Sequence, residues 1–122
     1  MKKLAVTFVL LLASITHADI IKCAFTEPFV TSTYSMNQST LTYQDSENKK
    51  KVLKNVSFQI KAAGVFELVK NGKVLQTLLL NDQGSDGMSD MVYPYDVEDF
   101  SQEKLPNKSR GGCSSNFLKS KD

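Results

Sequence analysis

Beyond residue 18, apolar and β-branched residues fall in runs of five to nine separated by polar clusters, and no stretch repeats at the helical spacing. The pattern predicts strands over 20–25, 29–36, 40–44, 56–62, 65–70, 73–81 and 91–97, with a short last one over 113–118. Asn71-Gly72 lies between two alternating runs, and a type I′ turn needs φ > 0 at both central positions, so a tight hairpin is expected there. Asn37-Gln38 suggests a second. Segment 46–54, with Lys49-Lys50-Lys51, reads as a charged loop tip, and 98–112 as a polar connection. Seven or eight strands in about a hundred residues predict a small all-β fold, an antiparallel β-barrel, with a two-sheet β-sandwich as the alternative.

The first eighteen residues do not belong to that pattern. Lys2 and Lys3 precede an almost wholly apolar run over 4–13, and Thr16-His17-Ala18 sets small residues at the −3 and −1 positions. This is the layout of a signal peptide, so 1–18 is expected to be cleaved and 19–122 to form one domain. The apolar run is far shorter than the ~20 residues that cross a bilayer. A non-spanning, periplasmic or secreted monomer is therefore expected.

Removing the leader alters the charge argument. The whole chain has 15 basic and 13 acidic residues; without Lys2 and Lys3 the two are equal, so the slight basicity is no case for nucleic-acid binding. The single histidine, His17, leaves as well. Serine–histidine and cysteine–histidine catalysis and imidazole-containing zinc sites go with it, and no cofactor is implied. Cys23 and Cys113, the only two cysteines, are expected to pair in an oxidising compartment. Tying the first strand to the last would suit a sheet that closes.

Three segments concentrate unusual residues. Stretch 81–90 holds Asp82, Asp86 and Asp90 among glycines and serines. It lacks the alternating ligands and distant glutamate of an EF-hand, so turns built on aspartate side chains are expected rather than calcium, although oxygen ligation stays open. Thr26-Glu27-Pro28-Phe29 breaks a strand at an edge or corner, since proline cannot donate to a ladder. A Glu27 dyad with Asp86 or Asp90 would be the one hydrolytic arrangement the composition permits; a turn glutamate is the plainer alternative. Tyr93-Pro94-Tyr95 places two aromatics on one face at an edge or bulge, either as interface anchors or as ordinary core-edge tyrosines.

At Thr26-Glu27-Pro28-Phe29, Ser85-Asp86-Gly87-Met88-Ser89-Asp90, Tyr93-Pro94-Tyr95 and Gly112-Cys113, the chain resembles a family of small bacterial periplasmic proteins and lipoproteins. That family carries a Thr-Glu-Pro-Phe-Trp segment, an Asp-Gly-Met-Ser-Asp segment and a late Gly-Cys. Val30 stands where the family has tryptophan, Met91 where arginine often follows the middle motif, and Gly84 where a cysteine often precedes it. The resemblance implies an envelope location, a β-fold and a cysteine pairing shifted to Cys23, with no agreed activity. In size, export and single disulfide the chain is also similar to bacterial inhibitors of C-type lysozyme, an analogy at the level of fold only.

These readings favour a non-catalytic, binding or inhibitor-like envelope protein that meets a protein or glycan through Glu27, Asp86, Asp90, Tyr93 and Tyr95. The alternatives are a structural or stress-related envelope component and a carboxylate-dependent glycan hydrolase.

Overall fold

The computed structural model describes residues 19–116; the leader with His17, and the end of the last expected strand, lie outside the described residues. Nine strands follow one another: β1 Ile20–Phe25, β2 Val30–Ser35, β3 Thr40–Asp45, β4 Lys50–Leu53, β5 Ser57–Ala62, β6 Val65–Lys70, β7 Lys73–Gly84, β8 Tyr93–Asp99 and β9 Ser109–Ser115. All are antiparallel to their neighbours in a single sheet of order β4-β3-β2-β1-β9-β8-β7-β6-β5. Every consecutive pair is hydrogen-bonded except β4 and β5. The first and last strands make the closing pair of an up-and-down barrel, and the barrel stays open elsewhere, between β4 and β5.

One continuous sheet excludes the sandwich. Its curl is shown by contacts between strands far apart in the sheet: Tyr43 on β3 reaches Asp99 on β8, and Ser32 on β2 reaches Gln76 on β7. Alternation decides which face turns inward. Ile21, Cys23 and Phe25 are buried while Lys22 is exposed, and Tyr95, Val97 and Asp99 are buried along β8. A row of facing residues crosses the sheet from Tyr43 through Ser32, Cys23, Cys113 and Tyr95 to Leu80. The disulfide sits in its middle, joining directly opposed Cys23 and Cys113 with Cα atoms 4.0 Å apart.

The hairpin at Asn71-Gly72 has φ of 53° and 79°, as a type I′ turn requires. The β2–β3 hairpin also forms. Three sequence expectations are corrected. The supposed loop tip contains β4, because Leu53 pairs with the fully buried Leu41 and packs on the core, and lysines are easily exposed on an edge strand. The polar connection is shorter than expected, since β8 runs on to Asp99. β9 begins at Ser109, ahead of Gly111 and Gly112, which strand propensity disfavours. Close packing demands the first of them: a Cβ on Gly111 would lie 2.3 Å from the Ala24 carbonyl oxygen and 2.8 Å from the Phe25 ring.

A polar knot lies within the apolar interior. Asp99, fully buried, accepts hydrogen bonds from Tyr43 Oη (2.6 Å) and Gln76 Nε2 (2.9 Å) at Oδ2, and from Ser101 N (2.9 Å) and Ser101 Oγ (2.7 Å) at Oδ1. Burial, followed by the neighbouring Asp99 carboxylate, pushes the Tyr43 hydroxyl well above its ordinary pKa. Gln76 must turn its amide nitrogen toward Asp99 and Ser32, which leaves its Oε1 buried without a partner among the described residues.

Candidate functional site

The β7–β8 connection, 85–92, folds back over the outer face of β9 and β1. At its entrance β7 bulges: Leu80 pairs with Tyr95 and Gly84 with Tyr93, so 81–83 are extruded opposite Pro94. Pro94 therefore sits at a bulge, as its missing N–H requires. Gly112 lets the returning loop approach, since a Cβ there would lie 2.6 Å from Tyr93 Cδ1 and 3.0 Å from the Ser85 nitrogen. Further along, Thr26 Oγ1 donates to the Asp86 carbonyl (2.9 Å), and Gly87, at φ +90°, passes where a Cβ would be 2.6 Å from that same hydroxyl.

The Asp86 side chain organises the loop. Oδ1 accepts the amides of Met88 (2.9 Å) and Ser89 (2.8 Å), while Oδ2 accepts Ser89 Oγ (2.7 Å) and Tyr93 Oη (3.2 Å). Hydrogen bonds to the charged form, led by the Ser89 hydroxyl, hold its carboxyl down at about 2. Desolvation, then the bond to Asp86, raises the Tyr93 phenol. Asp45 arranges the β3–β4 turn similarly: Oδ1 takes the amides of Glu47 (2.9 Å) and Lys49 (3.0 Å), and Oδ2 takes Lys104 Nζ (3.0 Å). The Lys49 amide, then Lys104, lowers the Asp45 carboxyl.

Between these turns lies a cleft of about 480 Å³, with Phe29 and Val30 from the β1–β2 corner, Asp45, Ser46 and Asn48 from the β3–β4 turn, and Asp86, Met88 and Ser89 from the returning loop. Its floor is the outer face of the sheet at Ala24, Thr31 and Gln44. A second hollow of about 440 Å³ shares those three residues and continues past Thr33, Lys22 and Tyr93, so the two form one groove along the wall made by the loop. Phe29 is 54% exposed and Met88 70%; Met91 and Val92, later in the loop, are also exposed.

Of the five candidate residues the structure brings two to the groove: Asp86 and Tyr93 meet there with Thr26 and Phe29, and Gly112 lies beneath the loop. Glu27 and Asp90 are exposed and do not line the groove. Tyr95 departs from expectation. It does not share a face with Tyr93 but is buried in the interior against Phe66 (ring centroids 6.0 Å apart), while the Tyr93 ring covers the outer side of Gly112. The bulge opposite Pro94 interrupts the alternation. Asp45, Asn48 and Gln44 were missed, although Asp-Ser-Glu-Asn after an alternating run is a turn signal of the same kind as that around Asp86. Both Asp86 oxygens are taken by protein donors, and among the described residues no three acidic or thiolate groups gather as metal ligands.

Fold and site together define a disulfide-tied, single-sheet β-protein with a loop-walled groove on its outer face. No family model, curated protein or solved structure matches the chain.

Proposed function

We propose that this is an exported, non-catalytic binding protein of the bacterial envelope, and that its groove grips an exposed apolar feature of a protein partner. The observation that carries the reading is the use of Asp86. Three of its four hydrogen bonds are spent inside its own loop and the fourth ties it to Tyr93 at the start of β8, and the result is a crest that carries Met88 on the cleft that Phe29 also lines. A large exposed aromatic and an adaptable thioether flanking a cleft are suited to burial against another protein. A carboxyl held at about 2 stays ionised near neutrality, which suits scaffolding and not proton donation to a glycosidic oxygen. The disulfide suits an oxidising compartment, and no described helix is long and apolar enough to cross a membrane.

The test is NMR titration of the isotope-labelled protein with C-type lysozyme, with other envelope proteins and with cell-wall fragments. A protein ligand should perturb the amides of Thr26, Phe29, Asn48, Met88 and Tyr93, and its affinity should drop in Phe29→Ala and Met88→Ala. Binding of a glycan alone, or turnover of one, would refute the proposal.

A further inference from the structure

The break between β4 and β5 leaves two strands with one unpaired edge each among the described residues. Exposed edges invite pairing with another chain, and proteins blunt them with short strands, lysines and inward-pointing charges. β4 is guarded in all three ways: it has four residues, it carries Lys50 and Lys51, and Lys51 stands opposite the inward-facing Tyr43. β5 is guarded only at its far end, where the register shifts between Ile60 and Ala62 around Lys61. Before that point its inward row is apolar. Phe58 faces Leu68 and stacks on Phe66 with ring centroids 5.5 Å apart, and Ile60 faces Phe66. Ile60 is nevertheless 69% exposed. An isoleucine aligned with the core row but wet is what remains where no described strand lies alongside.

Charge indicates what that strand would be. From Lys49 to Lys73 there are seven lysines and one acidic residue, Glu67, whereas from Val74 to Glu103 there are seven acidic residues and no basic one. The basic half comprises β4, β5, β6 and their turns, so Lys50, Lys51, Lys54 and Lys61 flank the break from both sides. We propose that the β5 edge receives an extended acidic segment of a partner protein, which adds as a tenth strand, covers Ile60 with an apolar side chain and sets its carboxylates against these lysines. Main-chain pairing would supply affinity, and the alternation of apolar and acidic residues would supply selectivity. This surface is separate from the groove and stands whether or not the groove binds as proposed.

The probe is a short capped peptide alternating glutamate and valine, with a lysine–valine counterpart and a version N-methylated at alternate residues. The glutamate peptide should shift the amides of Gln59, Ile60 and Lys61 and slow their hydrogen exchange, and its binding should weaken with added salt. The other two peptides should not bind. Ile60→Glu, at a position exposed enough to leave folding intact, should reduce affinity about tenfold or more by removing the apolar contact and setting a like charge against the incoming acidic strand. Absence of binding, equal binding of the lysine peptide, binding unaffected by Ile60→Glu, or perturbation of Phe29 and Met88 instead of β5 would each overturn the proposal. So would sedimentation showing that the edge is occupied by a second copy of the chain, with the dimer abolished by Ile60→Glu.

Discussion

Replacing Tyr43 by phenylalanine isolates one hydroxyl in the buried knot. It keeps the ring at a fully buried position and deletes a donor 2.6 Å from Asp99 Oδ2. Asp99 keeps Gln76 on that oxygen and Ser101 on the other, and neither ion pair formed among the described residues includes it. Hydrogen bonds to charged groups contribute about 1.5–3 kcal/mol, against about 0.5–1.5 for neutral pairs, and no water replaces the lost donor at zero exposure. A cost of about 2 kcal/mol is expected, or about 8–16 °C in Tm for a domain of this size. Tyr34→Phe is the matched control. Its ring is equally buried, but its hydroxyl donates at 2.9 Å to the neutral Val56 carbonyl, so the cost should be about half as large. Urea unfolding followed by circular dichroism measures both, which avoids a tyrosine fluorescence signal that the substitutions themselves alter. If Tyr34→Phe proves as costly as Tyr43→Phe, or if Tyr43→Phe is additive with Asp99→Asn, the buried carboxylate does not give the bond its strength and the reasoning fails.

Four further outcomes are expected. Reducing Cys23–Cys113 releases a loop of 90 residues and should remove roughly 4–5 kcal/mol, read as a lower urea midpoint; equal midpoints with and without reductant would contradict this. All four tyrosines have raised pKa values, chiefly through burial or desolvation, so their stabilisation is intact below the unfolded value of about 10 and is lost as pH rises through the folded ones. Phenolate absorbance should accordingly appear together with loss of the β signal, and ordinary titration of a folded protein near 10 would count against it. The carboxyl of Asp86 lies below its unfolded value of 3.8, so its contribution holds above that pH and disappears as pH falls through about 2; the Met88 and Ser89 amide shifts should report that midpoint, not one near 4. Gly112→Ala should push the loop off the sheet, changing the Tyr93 and Ser85 resonances and groove binding while the interior Asp99 contacts persist, and an unchanged loop would refute the close-packing account.

Strands with strong alternation were legible: β1 and β6 fall at their expected bounds, and the Asn71-Gly72 hairpin follows from two residues that tolerate positive φ. β4 was not, because Lys50 and Lys51 carry no apolar signal and the strand exists through pairing with β3. β9 was obscured for the opposite reason, as Gly111 and Gly112 are chosen for what presses on them and not for strand propensity. The groove could be guessed in parts. Thr26, Asp86 and Tyr93 lie far apart in the chain, and only the return of the loop over β9 and β1 unites them. The separation of Tyr93 from Tyr95 depended on a three-residue bulge in a different strand, which no local reading of Tyr-Pro-Tyr contains.

The strand order has a consequence for how the chain finds its fold. Every hydrogen-bonded strand pair joins neighbours in sequence except β1–β9. Two local meanders, β1 to β4 and β5 to β9, can each assemble at little entropic cost, and one ladder of high sequence separation must then close between them. Cys23 and Cys113 face one another within that ladder. The single covalent cross-link therefore removes the search for the only non-local strand pairing among the described residues, and a chain oxidised before it folds begins with its two meanders already tethered.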